Sequence, residues 1–242
     1  MSSVSATERL ILALDTPEHD YALEIVDKYG SFINIFKVGH ELFTSCGPGI
    51  VEDIHKRGKR IFLDLKYHDI PHTVTNAALA ATRLGVYMFN LHASGGLEMM
   101  KQCMDSVVKV CLKENRERPK ILAVTVLTSL SREMLRDEMG IQHGLRTHVR
   151  HLSALAMKAG LDGVIASARE AEIIRNHCGK GFLIVTPGIR PSWTPPDDQS
   201  RTMTPKEAIR GGADYLVIGR AVLHQPDPLK ALELITLEIL AA

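Results

Sequence analysis

The stretch from Arg60 to Val74 holds the residue types best suited to chemistry in this chain of 242 residues. It reads RIFLDLKYHDIPHTV and opens with an apolar run that is typical of a buried strand. Because side chains alternate along a strand, Asp64 and Lys66 are predicted on one face of it. Asp69 follows just before Pro71, which has no N–H for a strand ladder and indicates that the strand has ended. An acid, a base and a second acid are therefore expected together at the exit of one strand.

A lysine held between two carboxylates is predicted to keep its proton. Two unit charges about 4 Å apart interact by about 4 kcal/mol at an effective dielectric near 20. A neighbouring opposite charge favours the charged form of a group, even when that group is partly buried. Lys66 is therefore interpreted as a positioned proton donor and a poor base. The alternative for this stretch alone is a structural ion cluster.

Composition and length limit the classes of protein that fit this chain. The length suits one large α/β barrel or two small domains, and the hydrophobic fraction of 45% suffices for a full core. A formal net charge of +1 gives no indication of nucleic acid or an anionic membrane as a partner. The four cysteines form no C-x-x-C pair, which favours reduced thiols and no metal site. With no signal-peptide pattern and no membrane-length apolar run, we expect a cytoplasmic protein.

Short apolar runs alternate with helical patterns along the whole chain. Eight strands are predicted, at 10–14, 32–36, 61–65, 86–91, 121–127, 163–166, 182–185 and 215–218. Each is followed by a helical pattern, and no change of composition marks a second domain. The pattern predicts a (β/α)8 TIM barrel, one domain over residues 1–242. A doubly wound open sheet is the alternative, but no G-x-G-x-x-G follows the first strand.

Polar residues recur at or just past the C-terminal ends of the predicted strands, the rim where active sites of such barrels lie. They are Asp15, Lys37, Asp64, Lys66, His92, Thr128, Arg190 and Arg220. The first four come from three consecutive strands, so they are expected to be neighbours in space. We interpret this alternating acid–base array as a functional pocket, since isolated charged residues are common on a rim but a converging set is not.

Two further features indicate a bound phosphate. Gly219-Arg220 ends the eighth strand, where glycine lets backbone N–H groups approach an anion and arginine can hold phosphate bidentately. Phosphate sites in these barrels often use the loops after strands seven and eight. The segment 187–205 is longer than an ordinary connection, which favours a lid over the phosphate, with a mobile insertion as the alternative.

The histidines near the rim, His68, His72 and His92, give no indication of a zinc site, since they have neither H-x-x-H nor H-E-x-x-H spacing.

Taken together, these motifs resemble the orotidine 5′-monophosphate decarboxylase family, close to its bacterial form. Its D-x-K-x-x-D-I-P motif is matched by DLKYHDIP at residues 64–71. LALD, FKVG, HASGG, PGIR and IGR support it in the expected order, and the resemblance covers nearly the whole chain. Two departures are His72, where asparagine is common, and Ala221, where proline is frequent. Neither touches the charged array, and they put only local helix-start and loop geometry in doubt.

The resemblance implies a reaction, a set of roles and an assembly. The substrate would be a small nucleotide, orotidine 5′-monophosphate, with no cofactor and no metal. Lys66 would protonate C6 of the pyrimidine as carbon dioxide leaves, with Lys37, Asp64 and Asp69 completing the charged network. The family also implies a homodimer in which Asp69 and Thr73 enter the neighbouring subunit's site. The remaining substrate contacts would come from Asp15 at the ribose, Thr128 at the pyrimidine, and Arg190, Gln199, Gly219 and Arg220 at the phosphate and lid.

Two rival functions stay open at this stage. One is a sugar-phosphate barrel enzyme that shares the D-x-K-x-x-D core but uses Mg²⁺ and enediolate chemistry. Lys37 within FKVG and the long segment holding Gln199 argue against it. The other is a catalytically silent barrel that binds a nucleotide, which the intact acid–base array disfavours.

Overall fold

The computed structural model describes residues 5–194 and 202–242. Parallel strands of this part of the chain close into a barrel in sequence order, with the eighth strand paired to the first. The (β/α)8 fold predicted from the sequence is confirmed. The strands are β1 Leu10–Leu14, β2 Ile35–Gly39, β3 Arg60–Tyr67, β4 Met88–His92, β5 Lys120–Val124, β6 Gly163–Ile165, β7 Leu183–Thr186 and β8 Tyr215–Ile218.

Helices connect the strands and surround the barrel. They are α1 His19–Tyr29, α2 His40–Cys46, α3 Gly49–Lys56, α4 Pro71–Arg83, α5 Gly96–Glu114, α6 Arg132–Asp137, α7 Leu145–Lys158, α8 Ala171–Cys178, α9 Pro205–Arg210, α10 Arg220–Leu223 and α11 Pro228–Leu240. Among the helices described here, none combines the length and the apolar character needed to cross a membrane.

Two apolar cores explain why the strand sequences are continuously hydrophobic. In β1, Leu10, Leu12 and Leu14 face the helices, whereas Ile11 and Ala13 face the barrel interior. Both faces of a parallel strand are therefore buried, as expected when helices cover the sheet. The interior cluster comprises Ile11, Ala13, Ile35, Phe62, Met88, Leu122, Val124, Ile165, Val185 and Val217.

The interior rows of β1, β2 and β3 continue directly into charged residues. Because every second side chain points inward, the residues after Ala13, Ile35 and Phe62 on these rows are Asp15, Lys37 and Asp64. The barrel interior is apolar at its centre and becomes ionic at its C-terminal mouth.

Four strand predictions differ from the structure by two or more residues at one end or both. The third strand, predicted at 61–65, continues to Tyr67, and the fourth, predicted at 86–91, begins at Met88. The second strand was predicted at 32–36 but begins at Ile35, because the N–H groups of Phe32 and Ile33 both donate to the Tyr29 carbonyl and close the end of α1. β2 also ends later than predicted, at Gly39, so Lys37 lies inside the strand and not past its end. The fifth strand was predicted to reach residue 127 but ends at Val124.

The connections also differ from the sequence prediction in two places. α4 begins at Pro71, earlier than the start predicted near Thr73, since proline suits the first turn of a helix. The short helices α9 and α10 were not predicted. α9 is capped by Thr204, whose hydroxyl accepts the N–H of Glu207 while the Glu207 carboxylate accepts the N–H of Thr204.

Gly163 provides a test of how tightly the barrel is packed. A Cβ at this position would meet the Leu183 carbonyl oxygen of the neighbouring strand and lie 2.6 Å from the Leu183 Cβ. Gly163→Ala is therefore expected to destabilise the fold by about 1–3 kcal/mol, because a paired strand cannot move away. For a chain of this size each kcal/mol lowers Tm by about 2–4 °C.

The matched control is Gly181→Ala, where no heavy atom lies within 4 Å of the added Cβ. Thermal denaturation of both variants is the measurement. Equal Tm values for the two variants would contradict the packing described for β6 and β7.

Candidate active site

Four side chains at the barrel mouth form a continuous chain of opposite charges. Lys37 Nζ donates to Asp15 Oδ1 at 2.9 Å and lies 3.6 Å from Asp64 Oδ2. Lys66 Nζ donates to the other Asp64 oxygen, Oδ1, at 2.7 Å. The order Asp15–Lys37–Asp64–Lys66 joins three neighbouring strands, as the sequence led us to expect.

Asp64 is the most buried acid of this chain of charges, with 12% of its side chain exposed. Burial by itself would raise the pKa of its carboxyl group. The charges of Lys37 and Lys66, with hydrogen bonds from Lys66 and Asn90, more than offset burial and lower that pKa below its usual value. The carboxylate is therefore ionised at neutral pH and holds two ammonium groups in place.

The contact between Lys66 and Asp64 does not come from the simple alternation of side chains along a regular strand. β3 pairs with β4 at Leu63↔Phe89 and next at Tyr67↔Leu91, so the pairing shifts between these points. Lys66 has φ 45°, one of two positive values among the described residues other than glycine. Such a conformation costs about 1–3 kcal/mol unless the surroundings enforce it. Alternation predicted the correct neighbours, but a strand irregularity produces their contact.

Asn90 was not selected from the sequence. Its side chain is fully buried in β4, donates from Nδ2 to Asp64 Oδ1 at 2.6 Å, and accepts the Lys66 N–H at 2.7 Å. One feature of the sequence could have indicated it: Asn90 is the single amide in the otherwise apolar run MFNL. A polar side chain that is buried in a strand requires hydrogen-bond partners.

The two lysines border a largely apolar cavity of about 170 Å³. We call it the lysine lobe. Thr128 lies on its wall, as the rim prediction required. Apart from Lys37, Asp64, Lys66 and Thr128, it is lined by Phe62, Val124, Val126, Leu127, Ile165, Ala166, Pro187 and Val217. The cavity suits a flat ring, whose faces would pack against the apolar walls while one edge of the ring meets the charged groups.

A second cavity of about 140 Å³ shares Lys37, Pro187 and Val217 with the first. We call it the arginine lobe, because Arg190 and Arg220 line it together with Asp15 and Gly219. A Cβ on Gly219 would lie 3.4 Å from Asp15 Oδ2, so glycine keeps this wall open. Two guanidinium groups beside glycine backbone suit a phosphate.

Two predicted residues, Asp69 and Thr73, are not brought to the site by one chain. Asp69 and Thr73 are exposed, and the Asp69 carboxylate accepts the N–H of Ile70 at 2.6 Å. Within the described residues of one chain, Asp69 makes no ion pair with Lys66. Gln199 and the centre of the predicted lid lie outside the described residues. The ends of that segment meet where Arg190 N–H donates to the Met203 carbonyl at 2.9 Å.

Comparison with known proteins shows which family the chain belongs to. The profile of the family described as "Orotidine 5'-phosphate decarboxylase / HUMPS family" matches residues 8–235. An orotidine 5'-phosphate decarboxylase of Geobacter metallireducens is 48% identical over 241 residues, covering 100% of both chains. The enzyme of that name from Moorella thermoacetica is 48% identical, covering 99% of this chain and 95% of its own.

A crystal structure of orotidine 5'-phosphate decarboxylase from Lactobacillus acidophilus superimposes with a TM-score of 0.83 at 36% identity. The match covers 96% of this chain and 99% of that one. The chain belongs to the orotidine 5′-phosphate decarboxylase / HUMPS family. It is an enzyme of this family, and the resemblance seen in its motifs is confirmed.

A histidine pair adjoins the decarboxylase-family motif. The rings of His68 and His92 lie 5.2 Å apart, centroid to centroid. Burial, followed by the positive charges of His68 and Lys66, lowers the pKa of His92 to about 4. His92 is therefore neutral at physiological pH and adds no second cation beside Lys66.

The lowered pKa makes a prediction for pH titration. Between pH 6.5 and about 4 the unfolded chain protonates this histidine and the folded chain does not, so His92 makes the fold less stable as pH falls through that window. NMR titration of the His92 Hε1 signal should give a pKa of about 4.

The variant His68→Gln removes one neighbouring charge and should move the His92 pKa upward. His92→Gln should flatten the pH dependence of the unfolding free energy in the same window. A His92 titration at the value of a free histidine would contradict the burial described here.

Proposed function

We propose that this chain decarboxylates orotidine 5′-monophosphate to uridine 5′-monophosphate, the last step of de novo pyrimidine synthesis. The observation that carries this proposal is the chain of charges Asp15–Lys37–Asp64–Lys66 at the mouth of the barrel. Family membership and relatives named for this carboxy-lyase activity support the choice. A cytoplasmic location is part of the proposal and fits the four free cysteines.

The two lobes divide the substrate between them. The phosphate binds in the arginine lobe at Arg190, Gly219 and Arg220, with Gln199 on the closing lid. The ribose lies against Asp15 and Lys37, where the lobes join. The pyrimidine occupies the lysine lobe beside Thr128. Phosphate binding is remote from the reacting carbon, so its free energy can be used to close the site and orient the ring.

The chemical step needs no electron sink beyond the protein's own charges. The bond from C6 to the carboxylate breaks, carbon dioxide leaves, and the electron pair remains on C6. The Lys66 ammonium stabilises this developing carbanion and then transfers a proton to it, forming the C6–H bond. Lys66 is left neutral and regains its proton from solvent. Asp64 and Lys37 keep the ammonium aimed at C6 throughout.

The set of donor atoms favours this chemistry over Mg²⁺-dependent sugar-phosphate chemistry. Asp64 Oδ1 already accepts from Lys66 and Asn90, and Oδ2 faces Lys37. Mg²⁺ prefers oxygen ligands and would have to displace these cations. No group of three or more potential metal ligands occurs among the residues that the structure describes.

A homodimer with shared sites completes the proposal. In this arrangement Asp69 and Thr73 of each subunit enter the partner's lysine lobe. Both are exposed in one chain, and Ile70 between them is 65% exposed. A large apolar side chain beside a rim carboxylate fits an interface better than a solvated surface. Asp69 would then add a second carboxylate near Lys66.

The first prediction for this function concerns Lys66→Ala. Loss of the orotidine 5′-monophosphate absorbance should follow addition of the wild-type enzyme, and should persist with a chelator. Lys66→Ala should slow this by at least about 10²–10⁴-fold, the usual contribution of a positioned acid. Binding of uridine 5′-monophosphate by calorimetry should persist.

The matched control is Lys56→Ala, which removes an exposed lysine of α3 that pairs with Asp53 of the same helix. It should retain full activity. Appreciable turnover by Lys66→Ala would contradict the proton-donor role, and loss of wild-type activity on chelation would favour the sugar-phosphate rival.

The second prediction concerns the shared site. Asp69→Ala and Lys66→Ala homodimers should both be inactive. Mixed dimers should recover activity in one of their two sites, because that site combines an intact Lys66 with an intact Asp69 from the other subunit. Verified heterodimers that stay inactive would show that each site is built from one chain.

A further inference from the structure

The irregularity in β3 occurs opposite a single residue of β4. Between the pairs Leu63↔Phe89 and Tyr67↔Leu91, residues 64–66 of β3 face only Asn90. Extra residues in one strand bend it and re-aim its side chains, and such bulges occur near active sites. Here the bulge contains both Asp64 and Lys66, the two residues that the proposed reaction needs in contact.

The Asn90 side chain occupies the gap that the bulge leaves. The Lys66 N–H points at the Asn90 Oδ1, 2.7 Å away, where a regular ladder would offer a backbone carbonyl. The Asn90 Nδ2 donates to Asp64 Oδ1 at 2.6 Å. The amide orientation is fixed, because a backbone N–H can only donate and a carboxylate can only accept.

We propose that Asn90 is a positioning residue for the decarboxylation. It holds the Lys66 main chain in its left-handed conformation and fixes the Asp64 carboxylate, so that the Lys66 ammonium is presented to C6. The inference rests on the proposed function for its catalytic meaning. It also concerns the conformation of Lys66, which can be measured without substrate.

Only a short amide fits both partners. An ionised aspartate at this position would accept from the Lys66 N–H but would place a second negative charge against Asp64. Alanine would remove the acceptor of the Lys66 N–H and one hydrogen-bond donor to Asp64. Glutamine is one methylene longer than the gap that holds the present side chain at two short hydrogen bonds. The contact pattern therefore selects asparagine by hydrogen-bond type and by length.

Other groups around Asn90 set the electrostatic background. Asp64 and Lys66 face it from β3, with Lys37 of β2 beyond Asp64. His92 follows two residues later on β4, within the influence of His68 and His40. On the other side Asn90 pairs with Leu122 of β5, which carries no charge.

The test compares Asn90→Ala, Asn90→Asp and a control, Ser153→Ala. Ser153 is fully buried and its hydroxyl donates only within α7, to the Val149 carbonyl at 2.8 Å, so its loss probes buried-polar stability away from the site. Asn90→Ala should lower kcat by about 10²-fold or more, as small misplacements of catalytic groups do. Its KM and its affinity for uridine 5′-monophosphate should change by less than about threefold, because phosphate contacts are untouched. Ser153→Ala should keep wild-type kcat.

The pH profile of Asn90→Asp gives a readout that a purely structural role would not move. Two adjacent buried carboxyl groups share a proton, and one of their pKa values rises. Below that raised pKa the protonated Asp side chain can donate to Asp64 and accept from Lys66, so kcat should approach the wild-type value. As pH rises through it, repulsion should abolish activity. This ionisation should be absent from the wild type and from Asn90→Ala, and identical profiles would overturn the inference.

Crystal structures of the wild type and Asn90→Ala test, independently of activity, whether Asn90 holds the Lys66 main chain in its left-handed conformation. Lys66 is expected to leave its positive φ in the variant, and Nζ to move away from Asp64. An unchanged Lys66 in Asn90→Ala would overturn the inference whatever the substrate proves to be. If the wild type fails to decarboxylate orotidine 5′-monophosphate, the proposed function fails while these structures still decide what Asn90 holds. Should Asn90→Ala not fold, Asn90→Asp solved above and below its new pKa gives the same decision.

Discussion

A carboxylate buried between two ammonium groups is the constraint on which this candidate active site depends. Asp64 is buried at the mouth of the barrel, next to its apolar interior, where an isolated charge would be costly, and Lys37 and Lys66 compensate for its burial. Removing one partner of a buried ion pair costs about 3–5 kcal/mol, since it leaves the other charge uncompensated. The positions of both lysines are therefore coupled through a single side chain, and a change at any of the three should be felt by the others.

The barrel supplies the rigidity that this coupling needs. Asp15, Lys37 and Asp64 extend the inward rows of adjacent strands, so backbone hydrogen bonds fix their spacing. The side chains of Lys37 and Asp64 are only 11% and 12% exposed, and burial strengthens the electrostatic interaction between them. The arginine lobe lies at the ends of β7 and β8, and β8 pairs with β1 to close the barrel. The two lobes share Lys37, Pro187 and Val217, so they occupy connected parts of one rim.

The β3 bulge shows how a regular fold accommodates an irregular requirement. A left-handed backbone at Lys66 is unfavourable for an L-residue, and it persists because Asn90 and Asp64 hold the residue at its main chain and at its ammonium group. Strain of this kind is tolerated where closely packed neighbours determine the conformation. In this protein those neighbours are two adjacent strands of a closed sheet, which cannot separate without breaking the barrel.

The sequence by itself determined the fold class and the composition of the rim. Continuous apolar runs and period-two rows are local properties, and they correctly predicted eight strands with Asp15, Lys37, Asp64 and Lys66 as neighbours. The start of β2 and the end of β5 were wrong. The turn after α1 determines where β2 begins, and beyond β5 the Leu130 N–H donates to the Leu127 carbonyl, so the end of the predicted strand belongs to a turn. Asn90 was not selected, because its local sequence does not show which groups its side-chain amide meets. Only the tertiary structure decided these points, since a strand register, a bulge and a partner for a buried amide depend on residues that are distant in the chain.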